Sequence, residues 1–372
     1  MVQLGAFLRT TLPLGLNALA DYDGGRYHSV WLPDHFVSFW PDSIWTPEFT
    51  DLAVASPSPH RHLDALAVAG AVAVLSKTVQ FSTLVVDTVR RHPAMLAQTA
   101  LTLSHLSKGR FILGLGSGEL ENVGPYGFDF SKPVGRFEEA IKVIRLLWES
   151  DGPVDFEGQF FHLHHARLDT EPYQGEFPKI YMAAGGPRTH EIVGRYGDGW
   201  FPGAMRSPEQ YAANLKTIHD SAERAGRDPA AITPTFMCPC FIGDDDELDE
   251  LLSAPLIKAY VLQIEAENLR SVGFEHPIGP NWKGIHDLDP AKLTRDVIVD
   301  MLAKTTPEML KAWVPHGPPE KVARYYKGYA DAGAQVIKIL DYGGMAGTKF
   351  AARSAQRARQ AEEELLWLCG SA

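Results

Sequence analysis

Three short stretches carry side chains that could do chemistry. Pro33-Asp34-His35-Phe36 sets a carboxylate beside an imidazole directly after the apolar run Ser29-Val30-Trp31-Leu32. Histidine titrates near neutrality and suits general acid or base work, while Asp34 could bond the polar edge of a cofactor. Phe111-Ile112-Leu113 runs into Gly114-Leu115-Gly116-Ser117-Gly118 and then Glu119. A continuous apolar run reads as a buried parallel strand, and glycines at its end let the backbone approach a ligand closely. A carboxylate just past that end is a candidate acid or base. Lys179 to Met182 leads to Ala183-Ala184-Gly185-Gly186-Pro187, where bare amides at a helix start could bind an anion, with charge added by Arg188 and Arg206. Each stretch also has a plainer reading: a packed histidine, a solvent carboxylate on a tight turn, and an ordinary strand-to-helix connection.

Several other chemistries fit poorly. A dinucleotide fingerprint needs its third glycine where Glu119 stands, and a phosphate-binding P-loop needs a following Gly-Lys-Ser/Thr that does not occur. A serine nucleophile elbow around Ser117 needs glycine where Leu115 stands. His162, His164 and His165 have no carboxylate or cysteine at ligand spacing, so they are read as a surface hairpin and no metal is expected. Cys238 and Cys240 are one residue apart, not two, and read as buried strand residues.

The elements that must position these residues alternate regularly. Strands are expected at Val2–Phe7, Ser29–Leu32, Val79–Val86, Phe111–Leu115, Lys179–Met182, Gly199–Phe201, Thr233–Ile242 and Gln335–Leu340. Helical patterns at Leu14–Gly24, Leu63–Leu75, Pro93–Ser107, Val134–Ser150, Arg188–Tyr196, Pro208–Ala225, Pro319–Ala332 and Lys349–Leu368 separate or follow them. Alternation of this kind predicts an α/β fold, a (β/α)₈ TIM barrel forming a single domain over residues 1–372. Insertions are expected near 37–59, 152–172 and 244–290, with no second core. All three chemical stretches fall at the C-terminal ends of strands, the end where such barrels build their sites.

Composition narrows the class further. The 372 residues are 45% hydrophobic and 22% charged, an ordinary globular balance. A net charge of -11 argues against a nucleic-acid partner, whose phosphates need a basic surface. No apolar run reaches the roughly 18 residues of a membrane span. Only three cysteines occur, which points to a reducing, cytoplasmic setting rather than a disulfide framework. Pro13, Gly15 and Asn17 interrupt the apolar N-terminal stretch, so it is not read as a signal peptide.

Taken in order, these motifs resemble the luciferase-like barrels, and within them the hydride transferases that use the deazaflavin coenzyme F420. The residues that carry the resemblance are Pro33 to Phe36, Arg91-His92-Pro93, Gly114 to Glu119 with Asn122, Ala183 to Pro187, Gly197-Asp198-Gly199-Trp200 and Gly317 to Val322. The resemblance implies that His35 exchanges a proton with a substrate alcohol or ketone and that Glu119 serves as an acid near the reduced ring. It implies that Trp40 stabilises charge beside His35, although the family's tryptophan follows its histidine by four residues and Phe39 holds that place here. Asp34 would bond the coenzyme ring, Thr83-Leu84 would form a buttressing cis peptide under it, and Gly116 and Ser117 would border it. Asn122, Ala184, Gly185, Gly186 and Arg206 would contact the phosphate and tail.

The chain departs from the family's sugar-phosphate enzymes after Gly199, where Trp200-Phe201-Pro202-Gly203-Ala204-Met205 is apolar, and residues 36–49 are rich in aromatics. It is more similar to members acting on lipid-like ketones. The resemblance therefore implies alcohol–ketone interconversion, or reduction of another activated double bond, on an apolar small molecule, in a homodimer. The alternative within the same superfamily is an FMN-dependent monooxygenase.

Overall fold

Eight strands pair in parallel, each with the next: β1 (Gln3–Phe7), β2 (Tyr27–Leu32), β3 (Gln80–Thr83), β4 (Phe111–Gly116), β5 (Lys179–Ala184), β6 (Gly199–Pro202), β7 (Thr233–Ile242) and β8 (Val336–Asp341). β8 returns to β1, so the sheet closes as the expected barrel. The computed structural model describes residues 1–203, 205 and 207–371. Helices α1 (Ala65–Leu75), α2 (Pro93–Ser107), α3 (Pro133–Glu149), α4 (Pro187–Tyr196), α5 (Pro208–Arg224), α6 (Pro319–Asp331) and α7 (Thr348–Leu368) cover the sheet. No helix among the described residues is long and apolar enough to cross a membrane.

Side chains on the strands alternate between two cores. Trp31, Ile112, Tyr181, Phe201 and Val336 point inward and fill the barrel. Trp31 and Phe201 meet edge to face with ring centroids 5.1 Å apart, the geometry that aromatic quadrupoles favour. Outward residues such as Val30, Phe81, Leu113 and Ile180 pack against the helices.

Local chemistry sets the helix starts nearest the mouth. Asp64 accepts the Ala67 N–H and caps α1, and His92 Nδ1 accepts the Ala94 N–H ahead of Pro93 in α2. Both caps satisfy amides that the first turn leaves open.

Four expectations change. Leu14–Gly24 forms only the short turns Leu16–Ala18 and Leu19–Tyr22, because Gly15 and Pro13 leave little helix to propagate. The strand expected at Val79–Val86 stops at Thr83 and resumes as Val86–Asp87 along β4. The cis peptide between them joins Leu84 to Val85, one residue later than Thr83-Leu84. A second apolar cluster does exist. Short helices between Asp245 and Trp313 bury Leu252, Ile257, Val261, Leu262, Ile298 and Leu310 together with Trp40 and Ile44. This cluster caps the mouth beyond the ends of β7 and β8. Helical patterns near Leu248–Tyr260 and Arg295–Lys304 are readable, but breaks at Pro255, Pro290 and Pro307 hid that the pieces share one core.

Candidate active site

The end of β4 is stripped of side chains because the Thr83 backbone and the Val85 side chain fill the space. A Cβ on Gly114 would stand 1.8 Å from the Thr83 carbonyl oxygen, and one on Gly116 would stand 2.5 Å from Val85 Cγ2. Thr83 is fully buried and spends its hydroxyl on Gly114, donating to its carbonyl at 2.8 Å and accepting its N–H at 3.1 Å. Thr83 therefore stitches β3 to β4 and cannot reach a ligand, contrary to expectation. Leu84 packs with the inner cluster, and Ser117 is half-buried just past the strand end.

The chain then turns through Glu119 into a single helical turn, Leu120–Val123. That turn brings Asn122 under the loop after β2. Asn122 Oδ1 accepts the N–H groups of Phe36 at 2.6 Å and Val37 at 3.2 Å. Its Nδ2 must then be the donor, facing His35 Nδ1 at 3.0 Å, Glu119 Oε2 at 3.3 Å and Glu121 Oε1 at 3.1 Å. With Nδ1 accepting from an amide, the hydrogen of neutral His35 sits on Nε2. Asn122 is 2% exposed and fixes the His35 ring.

His35 Nδ1 lies 3.5 Å from Glu119 Oε2. The two groups come from strands far apart in sequence, and the barrel mouth brings them together. Phe39 lies edge-on to the imidazole, with centroids 5.3 Å apart. Trp40 instead packs into the second cluster against Tyr342, so the ring expected to stabilise charge at His35 is displaced to Phe39.

Asp34 also differs from expectation. Its side chain is 2% exposed and is clamped by Arg90 at 2.6 Å and Arg91 at 2.6 Å. Arg90 also bonds the Asp34 carbonyl at 3.1 Å, pairs with Asp87, and stacks 4.7 Å from the centroid of Phe36. Asp34 therefore anchors the His35 loop.

Ala184 is buried, and its carbonyl accepts from Trp200 Nε1 at 2.9 Å. Gly185 and Gly186 follow at the mouth, and a Cβ on Gly186 would meet nothing within 4 Å. Gly186 is the N-cap of the ten-residue α4, whose first-turn amides face the same end of the barrel. Arg206 lies outside the described residues.

Four residues escaped the sequence reading. Arg90 and Asp87 follow β3, and no spacing rule marks them. Glu121 is fully buried, its Oε2 has no partner, and burial, followed by the charge of Glu119, pushes its pKa up to about 9. A second carboxylate two positions after Glu119 was the available signal. His62 stands 5.6 Å from the His35 ring with both nitrogens unpartnered, and burial, helped by His35 and His60, lowers its pKa to about 4. A histidine depressed in the folded state contributes stability above its unfolded value of 6.5 and loses it as pH falls through 4. Unfolding free energy should therefore fall between pH 6.5 and 4, and His62→Gln should flatten that slope in urea titrations.

A closed (β/α)₈ barrel with an imidazole, carboxylates and bare backbone at its C-terminal mouth places the protein among barrel proteins that work at the strand ends. The chain belongs to the luciferase-like monooxygenase family, whose model matches residues 25–335. It is 35% identical over 317 residues to a phthiodiolone/phenolphthiodiolone dimycocerosates ketoreductase of Mycobacterium tuberculosis, covering 84% of this chain and 83% of that one. It is 29% identical to an F420-dependent glucose-6-phosphate dehydrogenase of Kineococcus radiotolerans, covering 82% and 80% of the two chains. Its fold is similar to that of an F420-dependent secondary alcohol dehydrogenase in complex with an F420-acetone adduct. The TM-score is 0.69 at 23% identity, with 98% and 99% of the two chains covered.

Proposed function

We propose that this protein is a coenzyme F420-dependent oxidoreductase that reduces an apolar ketone to an alcohol. The observation that carries the reading is the orientation of His35, whose Nδ1 is occupied by Asn122 so that Nε2 bears the hydrogen. Such a histidine offers a proton to a ketone oxygen instead of a lone pair to an alcohol, which favours the reductive direction. When bound, the reduced coenzyme supplies the hydride. His35 gives its Nε2 proton to the ketone oxygen as Nδ1 takes one up from the Glu119 side, 3.5 Å away.

The residues present fit the coenzyme. Gly185, Gly186 and the α4 N-terminus offer bare amides to an anionic tail at the same end of the barrel as His35 and Glu119. Apolar rings rim the mouth. Phe36 and Tyr126 have centroids 4.4 Å apart and Phe128 is exposed, which suits a lipid-like substrate better than a sugar phosphate. The ketoreductase named above points the same way. Equilibrium binding, followed by fluorescence, tests the coenzyme. F420 should bind at micromolar or lower concentration and FMN much more weakly, and the reverse order would favour a flavin monooxygenase.

A homodimer belongs to the same reading. α1 is apolar on all sides, yet Val74 and Leu75 are 64% and 56% exposed, and Met95 and Leu106 of α2 are also exposed. A helix apolar all round is normally covered. Light scattering should give twice the chain mass, and Val74→Glu with Leu75→Glu should halve it.

A further inference from the structure

Around Glu121 the charges do not balance. Among the described residues, the groups facing it are Glu119, Asn122 and His35, with Arg90 as the one cation near it. Arg90 is already paired with Asp34 and Asp87, and Arg91 with Asp34 and Asp64. These two arginines are thus outnumbered by three carboxylates before Glu119 and Glu121 are considered. One oxygen from each glutamate and a His35 nitrogen lie within 4.8 Å of one another. Two ionised carboxylates so close, one of them fully buried, would repel strongly in a medium that screens poorly. Glu121 Oε2 has no partner, so the pair lacks the donors that two anions would need.

A cation could also relieve this repulsion, but Asn122 opposes it. Its Nδ2 lies 3.0 to 3.3 Å from the nearest atoms of all three residues and aims its hydrogens into the space an ion would fill. The orientation of that amide is fixed by Phe36 and Val37.

We propose that Glu119 and Glu121 hold one proton between them, that Glu121 is the positioning residue that keeps it in the site, and that His35 draws on this store when a ketone is reduced. The last clause rests on the functional reading above, while the first two do not. The proton passes to His35 Nδ1 as Nε2–H leaves for the ketone oxygen. Once the alcohol departs, water protonates Nε2 and the Nδ1 proton returns to the pair through Glu119, which is 37% exposed. Burial, followed by the charge of Glu119, is what holds the store at neutral pH, and such a pair titrates as a unit.

The test is an infrared titration of the purified protein without coenzyme, comparing wild type with Glu121→Gln and Glu119→Gln. The wild type should show a carboxylic-acid C=O band at pH 7 that disappears at alkaline pH. Glu121→Gln should lose that band, because half-exposed Glu119 then faces water alone. Glu119→Gln should keep it with a lower midpoint. With reduced F420 and an apolar ketone, Glu121→Gln should move the alkaline limb of the pH profile acidward by more than about one unit, a change that mere loosening would not cause. A wild type lacking the band at pH 7, a band unchanged in Glu121→Gln, or about one divalent metal per chain would overturn the proposal. The infrared result needs neither coenzyme nor turnover, so it stands or falls separately from the functional reading.

Discussion

Replacing His35 with alanine is expected to lower kcat for ketone reduction by about 10²- to 10⁴-fold, the range that a positioned general acid contributes. A ketone that receives a hydride without a proton must form an alkoxide, and His35 is the imidazole that Asn122 orients at the mouth. Binding of F420 should change only a few-fold, because its support comes from bare backbone at Gly185, Gly186 and the α4 N-terminus. A loss confined to kcat would mark an interaction made in the transition state. His35→Ala retaining kcat within about three-fold would contradict the assignment. Glu119→Gln should act in the same direction but less severely where Glu121 still retains a proton.

The second large effect is on stability. Arg90→Ala is expected to destabilise the fold by about 3–5 kcal/mol, the usual result of removing one partner from a buried ion pair. Arg90 and Asp34 have side chains only 4% and 2% exposed, and Asp87 is equally buried. Without the guanidinium, Asp87 loses its cation and Asp34 keeps only Arg91. The loop that carries His35 also loses its bond from Arg90 to the Asp34 carbonyl and the stack beneath Phe36. Urea unfolding measures the loss directly. A change below about 1 kcal/mol would mean that Arg90 is solvated in solution.

The barrel was readable because its strands are short apolar runs and most are followed by a helical pattern, and that periodicity is local. The three chemical stretches were readable for the same reason, since strand ends mark the mouth. What escaped depends on contacts between distant residues. Asp34 looks like a free carboxylate until Arg90, 56 residues later, is seen to clamp it. Asn122 looks like a ligand contact until its amide is found bonded to residues 36 and 37, about 86 positions away. Trp40 and Phe39 are adjacent, and sequence could not tell which of them turns toward His35 and which into the second cluster. That cluster was obscured by prolines that break its helices into short pieces. Glu121 was passed over because a buried carboxylate with no cation of its own violates the usual pattern, and such violations collect at functional sites.

The most direct measurement is an anaerobic assay of the purified protein with reduced F420 and a long-chain ketone, following the reappearance of oxidised deazaflavin and the alcohol formed. The account predicts one alcohol per F420 oxidised, with the hydrogen of deuterated coenzyme recovered on the carbinol carbon. No oxidation of F420 with any apolar ketone, alongside oxygen-dependent turnover with reduced FMN, would contradict it.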